Sequence, residues 1–285
     1  MRQRSVQCLS PAGFHDMAYV EWGDVRNPRV LVCVHGLTRC GRDFDFLAQA
    51  MADEYRVVCP DVVGRGSSDW LRQKALYGLP QYAADMTTLL ARLDAGTVDW
   101  LGTSMGGLIG MTLAAQERTP ITRLVLNDVG PVITAVSIDR IGKYVGMAPR
   151  FDGYAQAEAF VRLVSAPFGN LDAAQWRHLT EHVVRTAADG KVEFRYDPGI
   201  AEPFRQALAA SDGKDVELWP LYDAIRCPTL AIRGALSDLL TMQTHAEMAQ
   251  RGPRAELAEI PAVGHAPMFL DAAQIAVVRG FLLAR

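Results

Sequence analysis

The chain has 285 residues, 49% of them apolar and 21% charged, with 29 basic against 32 acidic side chains. A chain of this length can bury a full core without disulfides or metal staples, so whole-chain disorder is excluded. No basic surplus exists to meet a phosphate backbone, which sets nucleic acid aside as a partner. The opening residues, MRQRSVQCLSPAGF, start basic but have no apolar run behind them, unlike a secretory signal. No stretch approaches the roughly 18 apolar residues that span a bilayer, so no membrane association is expected. Five cysteines, odd in number and without CxxC spacing, point to a reduced, cytoplasmic setting.

Arg29–His35 (RVLVCVH) is a continuous β-branched run, the pattern of a strand buried on both faces. Asp43–Met51 places Phe44, Leu47 and Met51 at helical spacing, and Tyr55–Asp61 reads as the next strand. A helix carrying Tyr82, Met86, Leu89, Leu90 and Leu93 follows, with Pro80 near its start. Thr97–Gly102 is a third strand, the apolar segment after Ser104 a buried helix, and Arg123–Asp128 a fourth strand. This alternation predicts an α/β fold, a mostly parallel central sheet with helices on both faces. From about Pro131 to Pro220 no buried-strand run appears. Tyr154, Ala157, Phe160, Val161 and Val164 share one helical face, as do Trp176, Leu179 and Val183. The α/β pattern resumes at Cys227–Gly234 and Ala255–Ile260 and closes with a helix carrying Ile275, Val278 and Leu282. The expected organisation is a core over 1–130, a helical cap over 131–220 and the rest of the core over 221–285.

Gly102-Thr103-Ser104-Met105-Gly106 lies between a strand and a helix, the setting that a G-x-S-x-G nucleophile elbow requires. Gly102 and Gly106 relieve crowding at a sharp turn that pushes Ser104 out at the carboxyl end of the sheet. A serine hydroxyl is a weak nucleophile and needs a base, itself oriented by a carboxylate. Of the six histidines, His265 alone sits among turn formers (Pro261–Pro267) just after the last strand. Two aspartates reach the same edge: Asp238, four residues past a strand end, and Asp128, which ends the strand Arg123–Asp128. The longer loop favours Asp238 as the partner of His265, and Asp128 reads as a turn cap before Val129-Gly130-Pro131. His178 and His182 lie in an H-x-x-E-H pattern that can bind zinc. They read instead as the polar face of a cap helix, and no metal is expected.

Three further motifs extend the elbow into a family likeness. They are His35-Gly36-Leu37, Asp61-Val62-Val63-Gly64-Arg65-Gly66-Ser67-Ser68, and the pair of loops Gly234…Ser237-Asp238 and Gly264-His265. With them the chain resembles the α/β-hydrolase superfamily along nearly its full length. The resemblance implies Ser104 as nucleophile, His265 as base and Asp238 as its orienting acid. It also implies an oxyanion hole from the N–H groups of Leu37 and Met105, with His35 and Gly36 shaping that turn. Serine at the elbow departs from haloalkane dehalogenases and epoxide hydrolases, which place aspartate there. Leu37-Thr38-Arg39 and Leu126–Pro131 look similar to a bacterial group of esterase-like hydrolases.

The expected activity is hydrolysis of small to medium carboxylic esters through an acyl-enzyme, without a cofactor. Four alternatives stay open: an enol-lactonase, a C–C bond hydrolase of aromatic degradation, a hydrolase of 3-hydroxyalkanoate oligomers, and a catalytically idle receptor on the same fold. The partner is a small-molecule ester or lactone, and a homo-oligomer stays open. Met105 and Met147 are candidates for an apolar acyl site, and Arg39 for a substrate carboxylate.

Overall fold

The computed structural model describes residues 1–284. The chain runs through β1 (Arg2–Ser10), β2 (Gly13–Trp22), β3 (Val30–Val34), α1 (Asp45–Met51), β4 (Arg56–Pro60), α2 (Leu79–Leu93), β5 (Val98–Thr103), α3 (Met105–Ala114) and β6 (Ile121–Asn127). An insertion follows: β7 (Val132–Ile133), α4 (Ala135–Gly142), β8 (Arg150–Phe151), α5 (Tyr154–Val164), α6 (Ala173–Val183), β9 (Val184–Thr186), β10 (Val192–Phe194), α7 (Ala201–Ser211) and β11 (Val216–Glu217). The chain returns through α8 (Trp219–Asp223), β12 (Thr229–Gly234), α9 (Met242–Met248), β13 (Glu256–Ile260) and α10 (Ala272–Leu283).

Eight strands form one sheet in the order β1-β2-β4-β3-β5-β6-β12-β13. Pairing is parallel from β4 to β13 and antiparallel where β2 meets β1 and β4. Side chains alternate across a strand, so the β-branched runs feed two cores. Val30, Val32 and Trp100 pack with Met86 and Ile109 on one face. Leu31, Cys33, Leu101 and Val125 pack with Leu47, Met51 and Val278 on the other.

The hairpin β1–β2 precedes the first strand expected from sequence. Its signature is alternation rather than a continuous run: Val6, Cys8 and Ser10 are buried while the residues between them are exposed. The insertion also carries more than helices. Short antiparallel strands β8, β10 and β9 form a small sheet, and β7 pairs with β11. Strands of two or three residues are too brief to show a period. A separate apolar cluster around Phe151, Trp176 and Leu179 holds this insertion together. Among the described residues no helix is long and apolar enough to cross a membrane.

Candidate active site

Strand β5 delivers Ser104 at the carboxyl edge of the sheet, and α3 begins with the next residue. Ser104 has φ 52° and ψ −115°, a strained conformation for a residue with a side chain. The chain can turn this sharply only because its neighbours lack side chains. A Cβ on Gly102 would lie 2.2 Å from the Gly106 carbonyl carbon, and one on Gly106 would lie 2.0 Å from the Val34 oxygen. The same turn aims the N-terminus of α3, with its free N–H groups and positive dipole end, at the serine.

His265 follows β13 on the neighbouring edge of the sheet. Its Nε2 lies 3.0 Å from Ser104 Oγ, and its Nδ1 lies 2.7 Å from Asp128 Oδ2. A neutral imidazole protonated on Nδ1 satisfies both contacts: it donates to the carboxylate and accepts the serine hydroxyl. Asp128 sits just past β6, is fully buried, and has φ 53°. Its Oδ1 accepts the Gly234 N–H at 2.8 Å and its Oδ2 accepts the Ser237 hydroxyl at 2.6 Å.

The structure therefore corrects the expected partner of His265. Asp238 does not meet His265. Its carboxylate is 42% exposed and forms a two-pronged pair with Arg140 of α4, at 2.6 and 2.9 Å. Reach was the wrong criterion. The loop after β12 curls so that Ser237 faces inward and Asp238 outward to the insertion. The carboxylate that does meet His265 is buried and held by donors, and those donors are Gly234 and Ser237 themselves.

The loop after β3 passes close beside the serine: a Cβ on Gly36 would lie 3.8 Å from Ser104 Cβ. The N–H groups of Leu37 and Met105 have no hydrogen-bond partner among the described residues. His35 is buried beneath this turn. Its Nδ1 donates to the Gly36 carbonyl at 2.7 Å, and its Nε2 accepts the Val62 N–H at 2.9 Å.

Accepting the Val62 N–H at Nε2 demands the neutral ring, and burial pushes its pKa from 6.5 down to about 3. Below pH 6.5 the unfolded chain binds a proton that the folded chain refuses, so stability falls as the solution is acidified. The loss attributable to this residue should reach about 3 kcal/mol by pH 4. Urea unfolding of wild type and His35→Gln at pH 7 and pH 4 checks it. The wild type should lose more stability than the variant by that margin, and equal losses would contradict the assignment.

Sequence reasoning passed over Arg65, within the Asp61–Ser68 motif. Its guanidinium is fully buried, and no carboxylate pairs with it among the described residues. Nε donates to the Leu37 carbonyl at 2.8 Å, Nη1 to Val63 O and Tyr82 Oη, and Nη2 to Met105 Sδ at 3.5 Å. It thus ties Leu37 and Met105 together and sets a buried positive charge beside them. The signal available in sequence was an arginine inside a glycine-rich turn between apolar strands.

Ser104 and His265 open into a cavity between the sheet edge and the insertion. Its walls are mostly apolar and include Ile141, Tyr144, Phe160, Phe168 and Phe194. Met147 lines it, 44% exposed. The Met105 side chain does not; it is buried against Arg65, which removes it from the acyl site expected above. Arg39 lines the cavity with its guanidinium bound to Asp43.

His178 and His182 lie side by side on α6, with Asp45 close enough that one ligand atom from each falls within 4.8 Å of the others. Arg42, however, clasps the Asp45 carboxylate at 2.8–2.9 Å, and His178 Nε2 is engaged by the Arg42 carbonyl at 3.0 Å. The Asp45 carboxylate is thus already paired with a cationic side chain.

A family model described as the alpha/beta hydrolase fold matches residues 29–272. Over 283 residues the chain is 50% identical to a 3-hydroxybutyrate-oligomer hydrolase of Cupriavidus necator, which covers 97% of this chain and 96% of that one. An alpha/beta hydrolase structure from Novosphingobium aromaticivorans aligns with a TM-score of 0.85 at 35% identity, over 99% of this chain and 98% of the other. A structure from Rickettsia typhi aligns with a TM-score of 0.92 at 32% identity, over 100% of both chains.

Proposed function

The chain belongs to the alpha/beta-hydrolase family, and on that premise we propose that it is a serine hydrolase of carboxylic esters whose substrates are short oligomers of 3-hydroxy acids. One observation carries the reading: the unbroken run from Ser104 Oγ through His265 to the buried Asp128 carboxylate, opening into an apolar cavity. The substrate class is supported by the Cupriavidus relative, which is half identical along nearly the whole chain.

In this reading Ser104 Oγ attacks the ester carbonyl carbon while His265 Nε2 takes its proton. Asp128 stabilises the imidazolium that forms and keeps the ring turned toward the serine. The carbonyl oxygen becomes an anion between the N–H groups of Leu37 and Met105, each worth about 3 kcal/mol to the transition state. Collapse breaks the C–O bond, and His265 returns the proton to the leaving hydroxyl. A water activated by the same imidazole then attacks the acyl-serine and releases the acid. The reaction uses side chains, backbone and water, and the apolar walls limit stray solvent at the acyl group.

The test is to incubate the protein with the dimer and trimer of 3-hydroxybutyrate and follow monomer release by chromatography. Release of monomer is expected from both. No release from either, together with turnover of an enol-lactone or a vinylogous diketone, would replace the proposed substrate class.

A further inference from the structure

Arg39 leaves the chain next to the serine. The point that a Cβ on Gly36 would occupy lies 3.9 Å from Arg39 Cγ and 3.8 Å from Ser104 Cβ. Its guanidinium is held on one edge: Nε donates to Asp43 Oδ2 at 2.8 Å and Nη2 to Asp43 Oδ1 at 2.6 Å. Nη2 also reaches the Leu179 carbonyl of α6 at 3.3 Å, and the Phe168 ring lies against the group at 5.6 Å. The third nitrogen, Nη1, has no hydrogen-bond partner among the described residues and keeps accessible surface. Burial works against the charge, and Asp43 more than offsets it, so the guanidinium stays charged.

We propose that Arg39 Nη1 is the anchor for the free carboxylate of the substrate, so that the protein acts on carboxylate-terminated oligoesters and removes their acid-end unit. This rests on the ester-cleaving reading of Ser104. In an oligomer of 3-hydroxybutyrate, four bonds separate the last ester carbonyl carbon from the terminal carboxylate carbon. A carbonyl over Ser104 Oγ therefore brings the carboxylate to a neighbouring side chain, and Arg39 is the cationic neighbour on the loop that also carries Leu37. Asp43 fixes the plane of the guanidinium and directs its remaining N–H groups away from the pair. A charge-assisted hydrogen bond among apolar walls is stronger than one in water. Serine attack then breaks the C–O bond to the unit Arg39 holds. His265 protonates that unit's oxygen, and it departs as the free hydroxy acid. The shortened oligomer remains on Ser104 until water releases it.

The experiment compares the 3-hydroxybutyrate dimer with its methyl ester, following cleavage of the internal ester in each. In wild type kcat/KM for the acid should exceed that for the methyl ester by about tenfold or more. In the charge-neutral double variant Arg39→Gln/Asp43→Asn that ratio should fall to within about threefold of one. A wild-type ratio of one or less overturns the anchor and needs no variant; so does a ratio that the double variant leaves in place. If both compounds are cleaved equally, the ester-cleaving reading stands and the anchor falls. If neither is cleaved, the oligoester reading of the proposed function falls and takes the anchor with it.

Discussion

Replacing Asp128 with asparagine should lower kcat by about 10⁴-fold, while Asp238→Asn should stay within about tenfold of wild type. The two substitutions are chemically identical and separate the two candidate acids. An amide at position 128 presents an N–H toward Nδ1, so the ring takes the other tautomer and donates to the serine instead of accepting its proton. It also leaves the imidazolium without a counter-charge. Asp238 forms a half-exposed pair with Arg140, and such pairs are worth at most about 1 kcal/mol. Steady-state kinetics on an oligomer ester, with circular dichroism to confirm folding, decides the matter. Loss of activity in Asp238→Asn with Asp128→Asn active would reverse the assignment.

Ser104→Ala and His265→Ala should each cost about 10⁵- to 10⁶-fold in kcat, and the double variant should be no slower than either single. In the proposed mechanism nucleophile and base act as one unit: without the imidazole the hydroxyl keeps its proton, and without the hydroxyl the imidazole has nothing to deprotonate. Independent roles would give multiplied losses in the double variant. A residual rate from the Leu37 and Met105 donors is expected in all three.

The central sheet was legible because a strand buried on both faces must be continuously apolar, as Arg29–His35 and Cys227–Gly234 are. The elbow was legible because its turn excludes side chains at Gly102 and Gly106. The hairpin β1–β2 escaped because a one-face strand mixes polar residues such as Arg4 and Gln7 into its run. The short strands of the insertion escaped because two residues cannot show a period.

The partner of His265 was the instructive miss. Both aspartates end at the carboxyl edge, and chain position alone ranks the longer loop first. What distinguishes Asp128 is the set of donors around it, and these come from Gly234 and Ser237, more than a hundred residues along the chain. Ser237 lies directly beside the residue that the sequence favoured. Arg65 escaped for a related reason: its importance lies in touching Leu37 and Met105 together, a coincidence only the folded chain creates.

The most direct measurement is reaction of the intact protein with a fluorophosphonate, followed by peptide mass spectrometry. The account predicts one adduct, on the peptide containing Ser104, formed far more slowly in His265→Ala. An adduct on another residue, or labelling of Ser104 that ignores the loss of His265, would contradict it.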